Sequence, residues 1–242
     1  MRILYTLLLV TLFTTASTQA QNWGWNKTIR GNGEVTEDKR DLEDFDGIKA
    51  CCSMNVEITQ GNEFSVLIKA ESNLMEYIET KVLGTTLDIG FRDKVQVRQK
   101  ENIEVYITMP ELTKVDASSS ADIYTKGSFR GETLRLESSS GSKVRVMFSG
   151  EAARIDASSG GEVIVKGTIN RLRAEASSGA NVDATEATAQ EVDADVSSGA
   201  DIEIHVTEKL RADASSGGSI RYSGTPAQVN SDASSGGKVR KQ

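Results

Sequence analysis

The sequence predicts an all-β solenoid of about seven parallel coils, each of about 19–20 residues, stacked into a rod. Three observations carry this. An Asp-Ala-Ser-Ser-Gly-like motif recurs with its second serine at Ser119, Ser140, Ser159, Ser178, Ser198, Ser216 and Ser235, spaced by 21, 19, 19, 20, 18 and 19 residues; a fixed period of this size marks stacked repeats. Between motifs the apolar residues alternate, as in Ile155 and Ala157, then Val163 and Val165, and period two is the signature of a strand. Aromatic residues are only 5% of the chain while Ala, Ser, Gly and Val abound, so the side chains are too small for a wide globular core. A helical solenoid would need apolar residues three and four apart, and a leucine-rich repeat its Leu-x-x-Leu-x-Leu spacing; both are missing.

Residues 1–20 read as a secretory signal peptide. Arg2 precedes an apolar run from Ile3 to Phe13, and small residues close on Thr18-Gln19-Ala20, which sets the expected cleavage between Ala20 and Gln21. The run is too short to span a bilayer, and no other segment approaches eighteen apolar residues, so a transmembrane segment is not expected. Gln21 stands where a bacterial lipoprotein would carry cysteine, so lipid anchoring by that route is not expected either. The chain is therefore expected in the periplasm, at the cell surface or outside the cell. Without Arg2 the mature chain holds 27 basic against 35 acidic residues, a balance that argues against nucleic acid or an anionic membrane as partner.

Residues 21–38 form an N-terminal linker or cap. Trp23 and Trp25 here are read as covering the first coil, since an open solenoid end needs a cap, with contact to sugar rings as the sharper alternative. Residues 39–112 form a strand-rich, less regular part. In it Ile48-Lys-Ala-Cys-Cys-Ser aligns with Val115-Asp-Ala-Ser-Ser-Ser, so a divergent coil opens the domain and Cys51 and Cys52 take the serine-pair positions. The simplest reading of the cysteines is a substituted serine pair with one thiol buried and one at the surface; a vicinal disulfide or an intermolecular bridge are the alternatives.

Residues 113–242 are the regular coils, and their columns can be read. Four residues after the second serine stand Ile123, Val144, Val163, Val182, Ile202, Ile220 and Val239, the best core column because β-branched side chains suit a packed sheet face. Two residues after it stand only Ala, Ser or Gly, which predicts a thin corner. The glycine that closes six of the seven motifs marks a bend where φ is positive or space is short, and of the two serines the second is expected inward. Outward on the first strand lie Lys114, Arg135, Arg154, Arg173 and Arg211, broken by Asp193 and Asn230. Next come Asp116, Glu137, Asp156, Glu175, Asp195, Asp213 and Asp232, then the first serines. Stacked carboxylates repel, and the basic column offsets this except around Asp193, Asp195 and Asp201, the place to look for a cation.

Several segments together resemble a known family. Lys39-Arg-Asp-Leu-Glu-Asp-Phe-Asp-Gly-Ile48, Val56-Glu-Ile-Thr-Gln-Gly61, Asn73-Leu-Met-Glu-Tyr-Ile-Glu79, Met109-Pro-Glu-Leu112 and the Ser-Ser-Gly coils are similar, in order and spacing, to the head GIN domain family of auto-transporter adhesins of Bacteroidetes. The resemblance covers nearly all of the mature chain. It implies a right-handed parallel β-helix with strand-rich N-terminal coils and an exported, envelope-associated location, but no mechanism. The Cys-Cys pair departs from the serine- or glycine-rich residues usual there.

The chemistry expected is binding. The candidate face is Arg154, Asp156, Ser158, Arg173, Glu175, Ser177, Asp195 and Ser197, a flat repeating grid suited to a glycan or an envelope or surface protein. A polysaccharide-cleaving enzyme using the Asp156, Glu175 and Asp195 column is the first alternative, and a passive envelope scaffold the second. The repeated serines have equal claims as nucleophile and His205 is the lone histidine, so no catalytic triad is assigned. No phosphate-cradling loop or metal-ligand spacing occurs, and no cofactor or metal is expected.

Overall fold

The structure, a computed structural model, describes residues 27–242. The expected signal peptide 1–20 with its Ala20–Gln21 cleavage site, Trp23 and Trp25 lie outside the described residues.

Strand β1 (Lys27–Arg30) is followed by β2 (Val35–Arg40), β3 (Gly47–Ala50), β4 (Met54–Gln60), β5 (Ser65–Glu71), β6 (Ile78–Leu83), β7 (Thr86–Phe91), β8 (Val95–Arg98) and β9 (Ile103–Met109). The regular part holds β10 (Lys114–Ala117), the long β11 (Asp122–Ser138), β12 (Lys143–Ala157), β13 (Glu162–Ala176), β14 (Asn181–Val196) and β15 (Asp201–Ala214). The short β16 (Ser219–Ser223), β17 (Gln228–Ala233) and β18 (Lys238–Lys241) close it. One 3-10 turn, Met75–Tyr77, interrupts the strands. β1 and β8 form a small parallel pair, and the other sixteen strands belong to one continuous hydrogen-bonded sheet.

From β10 onward the fold is a parallel β-solenoid of about seven turns. Each long strand covers two sides of the coil, because its alternation changes phase at a bend. In β12, Val144, Val146 and Phe148 point inward, and after the bend Ala153, Ile155 and Ala157 do. The coils stack in strict register: Ile123, Val144, Val163, Val182, Ile202 and Ile220 form one column through five strand pairings. All six are fully buried. Val239, at the end of this column, is only partly covered because β18 pairs on one side alone.

The serine corner is a tight turn. The carbonyl of Ser158 accepts from the N–H of Gly161 at 2.8 Å, and between them Ser159 and Gly160 both have positive φ, 50° and 72°. Two consecutive left-handed residues are what a type I′ turn demands, and the second serine of all seven motifs takes this conformation. The expectation that the second serine faces inward is therefore wrong. The turn throws it outward, Ser140, Ser159, Ser178, Ser198 and Ser216 are exposed, and the inward place belongs to the preceding residue, such as Ala157 or Ala176. The thin corner is as expected: a Cβ on Gly161 would lie 2.4 Å from the Ser138 carbonyl oxygen.

The N-terminal part departs from a simple stack. β3 and β4 pair in parallel with β10 and β11, with Ile48 opposite Val115 and Val56 opposite Ile123, as the alignment of the cysteine and serine motifs predicts. This coil is not the end of the rod, because β7 pairs with β3 and β9 with β4 in parallel on its other side. The chain thus lays down the second layer first, makes an excursion, and returns beneath it. The excursion supplies antiparallel strands: β5 runs against β9, β2 against β5, and β6 against β7. They end the parallel stack with a different geometry, which protects its edge.

Glu71 anchors this end. It is fully buried, and its carboxylate accepts backbone N–H groups from Gly33 at 2.5 Å, Lys100 at 2.8 Å and Glu101 at 3.4 Å. Gly31 must lack a side chain, since a Cβ there would meet the carboxylate at 2.0 Å. Burial alone would raise the Glu71 pKa, but the three N–H donors and the nearby Lys100 charge outweigh it and hold the group below its ordinary value.

Candidate ligand-binding face

The outward columns expected from the sequence exist. Register places Lys114, Arg135, Arg154, Arg173, Asp193 and Arg211 in one row across the coils, and Asp116, Glu137, Asp156, Glu175, Asp195 and Asp213 in the next. Each cation bridges its own coil and a neighbouring one. Arg154 meets Asp156 at 3.0 Å and Glu175 at 3.1 Å, and Arg173 meets Glu175 at 2.7 Å and Asp193 at 3.3 Å. Lys114 similarly spans Asp116 and Glu137, Arg135 spans Glu137 and Asp156, and Arg211 spans Asp193 and Asp213. The result is a zigzag of ion pairs along the rod.

Compensation is more complete than the sequence implies. Asp193 sits between Arg173 and Arg211, and Asp201 pairs with Arg221 at 3.2 Å. Asp195 alone of the three expected uncompensated carboxylates has no ion pair among the described residues. No group of three or more His, Cys, Asp or Glu is placed to hold a metal there or elsewhere among the described residues. At the other end of the column burial and the Glu137 charge push the Asp116 carboxyl up, against the pull of Lys114 and Lys49.

Beside the carboxylates lie the first serines, half-buried, and together they line an open groove of about 470 Å³. Its walls include Asp156, Glu175, Asp195, Ser158, Ser177 and Ser197, so the structure brings six of the eight expected face residues together, with Arg154 and Arg173 bonded to its rim. The floor is the inward-turning backbone at Ala157 and Ala176. The groove offers an alternation of carboxylate and hydroxyl that repeats at every coil.

Cys51 and Cys52 are joined to each other in a vicinal disulfide. The reading with one buried and one surface thiol is thereby corrected: both side chains are half-exposed, because Cys52 and Ser53 take the same left-handed turn, φ 69° and 57°, as the serine corners. His205 pairs through Nδ1 with Ser223 at 2.9 Å, a serine outside the repeated motif. Two features were missed. Ser138 and Ser142 are buried, bonded to each other at 2.9 Å and through Ser142 to the Ala117 carbonyl; a serine in an alanine column was the available signal. Tyr124 donates to Glu57 at 3.1 Å and Tyr106 to Glu104 at 2.7 Å beside Arg145, a cluster that needs the non-sequential layer order to be seen.

The model of the family described as "Putative auto-transporter adhesin, head GIN domain" matches residues 44–226. The chain belongs to this family. Among solved structures this head GIN domain is similar to a putative adhesin from Bacteroides fragilis, with 20% identity, 88% of this chain and 100% of that chain covered, and a TM-score of 0.82. It is also similar to a putative adhesin from Parabacteroides merdae, at 19% identity, 89% and 99% covered, TM-score 0.72. A putative lipid binding protein from Parabacteroides distasonis, at 20% identity, 89% and 99% covered, has a TM-score of 0.72. At these identities the likeness is one of fold. No curated protein matches the chain.

Proposed function

We propose that this head GIN domain is an exported, non-catalytic, adhesin-like envelope protein that binds a hydroxyl-rich glycan or a protein surface along its coils. The supporting observation is the groove itself: carboxylates and serine hydroxyls held in register by five coils present repeated acceptors and donors to a repetitive ligand. A polysaccharide-cleaving role is less well supported. Arg154 spans Asp156 and Glu175, so the two carboxylates sit in like settings on one cation, whereas catalysis needs an acid and a base in distinct settings. Among the described residues no helix is long and apolar enough to cross a membrane, and the expected export rests on residues 1–20. A glycan array, repeated with Ser158→Trp to fill the groove, tests the reading. Binding without release of reducing ends, lost in the variant, is the expected result; cleavage abolished by Asp156→Asn would replace it with the enzyme. Mass spectrometry of the exported protein should find Gln21 at its N-terminus.

A further inference from the structure

The arginine column has a second side. Opposite the serine groove it borders a trough of about 540 Å³, within the usual size of ligand pockets. Register sets Thr133, Ala152, Arg171, Glu191 and Lys209 in one outward column. The arginines stand two residues along, and Leu134, Ala153, Leu172 and Val192 turn inward between them as the floor. At the coil of Arg154 the outer column holds only Ala152, so nothing longer than a methyl group stands in the middle of the trough. Around that point gather Arg135, Arg154, Arg173 and Arg171, and the carboxylates of the lining, Glu191 and Asp193, belong to a later coil.

The guanidiniums are oriented but not exhausted. Arg154 bonds its carboxylates through Nε and Nη2, and Arg173 through Nε and Nη1. Nη1 of Arg154 and Nη2 of Arg173 therefore have no hydrogen-bond acceptor among the described residues. The acid column thus acts as a brace that fixes a row of planar guanidiniums, each with a free terminal nitrogen that can donate a charge-assisted hydrogen bond to a carboxylate or sulfate group. The aliphatic stems of the arginines and the alanines beneath supply apolar surface. Cations recurring at the rung spacing of about 4.8 Å along an open-ended channel suit an extended polymer rather than a compact ligand. A bilayer is too flat for the channel, and a nucleic acid would find no stacking aromatics in it.

We infer that the trough over Ala152 binds an acidic polysaccharide, with sugar rings on the apolar floor and carboxylate or sulfate groups on Arg135, Arg154, Arg173 and Arg171. The site lies across the arginine column from the serine groove, with Arg135 lining both, and rests on the proposed function only for the class of ligand. Calorimetric titration with polygalacturonate oligosaccharides, with neutral dextran as control, tests it. The acidic chain should bind, more weakly as salt rises, and dextran should not. Ala152→Glu should weaken the acidic chain at least tenfold by placing a carboxylate in the channel, at a column that already carries Glu191. Arg171→Ala should weaken it several-fold, since Arg171 is exposed and holds only Glu151, and Lys166→Ala, on another face, should change nothing. Circular dichroism of Ala152→Glu and Arg171→Ala would check that the coils persist. Unaltered affinity in both variants, equal binding of dextran, or no binding of polygalacturonate at low salt would overturn the inference. A hydroxyl-rich ligand of the serine groove should remain bound in Ala152→Glu, so failure of one site is read apart from failure of the other.

Discussion

At the scale of single residues, Glu71 has the clearest consequences. Glu71→Ala removes the carboxylate that three backbone N–H groups share, each a charge-assisted bond that contributes about 1.5–3 kcal/mol, so this variant should unfold at lower denaturant than wild type. The pH dependence follows from the direction of its shift. A carboxylate whose folded pKa is depressed contributes stability above its unfolded value of about 4.3, and that contribution is lost as pH falls through the folded pKa. Urea titrations at pH 7 and pH 3 should show wild type losing more stability on acidification than Glu71→Gln, which has no charge to lose; equal losses would remove Glu71 from the acid response. The corner residues make a second case. Gly160 has φ 72° with open space around its absent side chain, so Gly160→Val should cost about 1–2 kcal/mol through backbone conformation alone. Gly161 has ordinary φ and no room, so Gly161→Ala should cost more by displacing the neighbouring coil.

At the scale of elements, the coil at Cys51 and Cys52 matches its neighbours in register and turn geometry although its corner chemistry differs. A disulfide stabilises chiefly by closing a loop, and the effect grows with the logarithm of loop length. A bond between adjacent residues closes almost nothing. Cys51→Ser/Cys52→Ser, which installs the serine pair used by the other coils, should therefore lower Tm by less than about 4 °C, equivalent to roughly 1 kcal/mol for a chain of this size; a larger fall in a calorimetric scan would mean the disulfide holds the corner. The same element shows where sequence was informative. A period of about 19 residues fixes which side chains stack, so the charge rows and the β-branched column were readable from spacing. The turn type was half-readable: glycine announced positive φ at one position, while nothing in serine itself announced it at the position before. The order of layers was not readable, because β7 and β9 carry ordinary alternation and no motif tells that they pass beneath an earlier coil. The trough over Ala152 was hidden for another reason. It forms where the strand bends and changes the phase of its alternation, and the glycines near that bend, Gly131, Gly150 and Gly167, have no counterpart in β14 and β15.

At the scale of the whole molecule, the rod couples each coil mainly to its two neighbours, so stability should behave as a sum over coils and interfaces. Val163 is fully buried with packed coils above and below, whereas Val239 lies in the last coil and Val229 beside it is 46% exposed. Val163→Ala removes two buried methyl groups from the middle, costs about 2 kcal/mol, and gives the chain a point at which the stack can part. Val239→Ala removes the same atoms from a coil paired on one side only. Hydrogen exchange should resolve the two: Val163→Ala should lower protection across β12, β13 and β14 together with Tm, while Val239→Ala should speed exchange in β17 and β18 and leave both Tm and the central coils unchanged. A uniform loss of protection in both variants would mean that the solenoid unfolds as one cooperative block. The candidate face would then be exposed to every fraying event at the end, whereas nearest-neighbour coupling keeps the grooves on the central coils insulated from it.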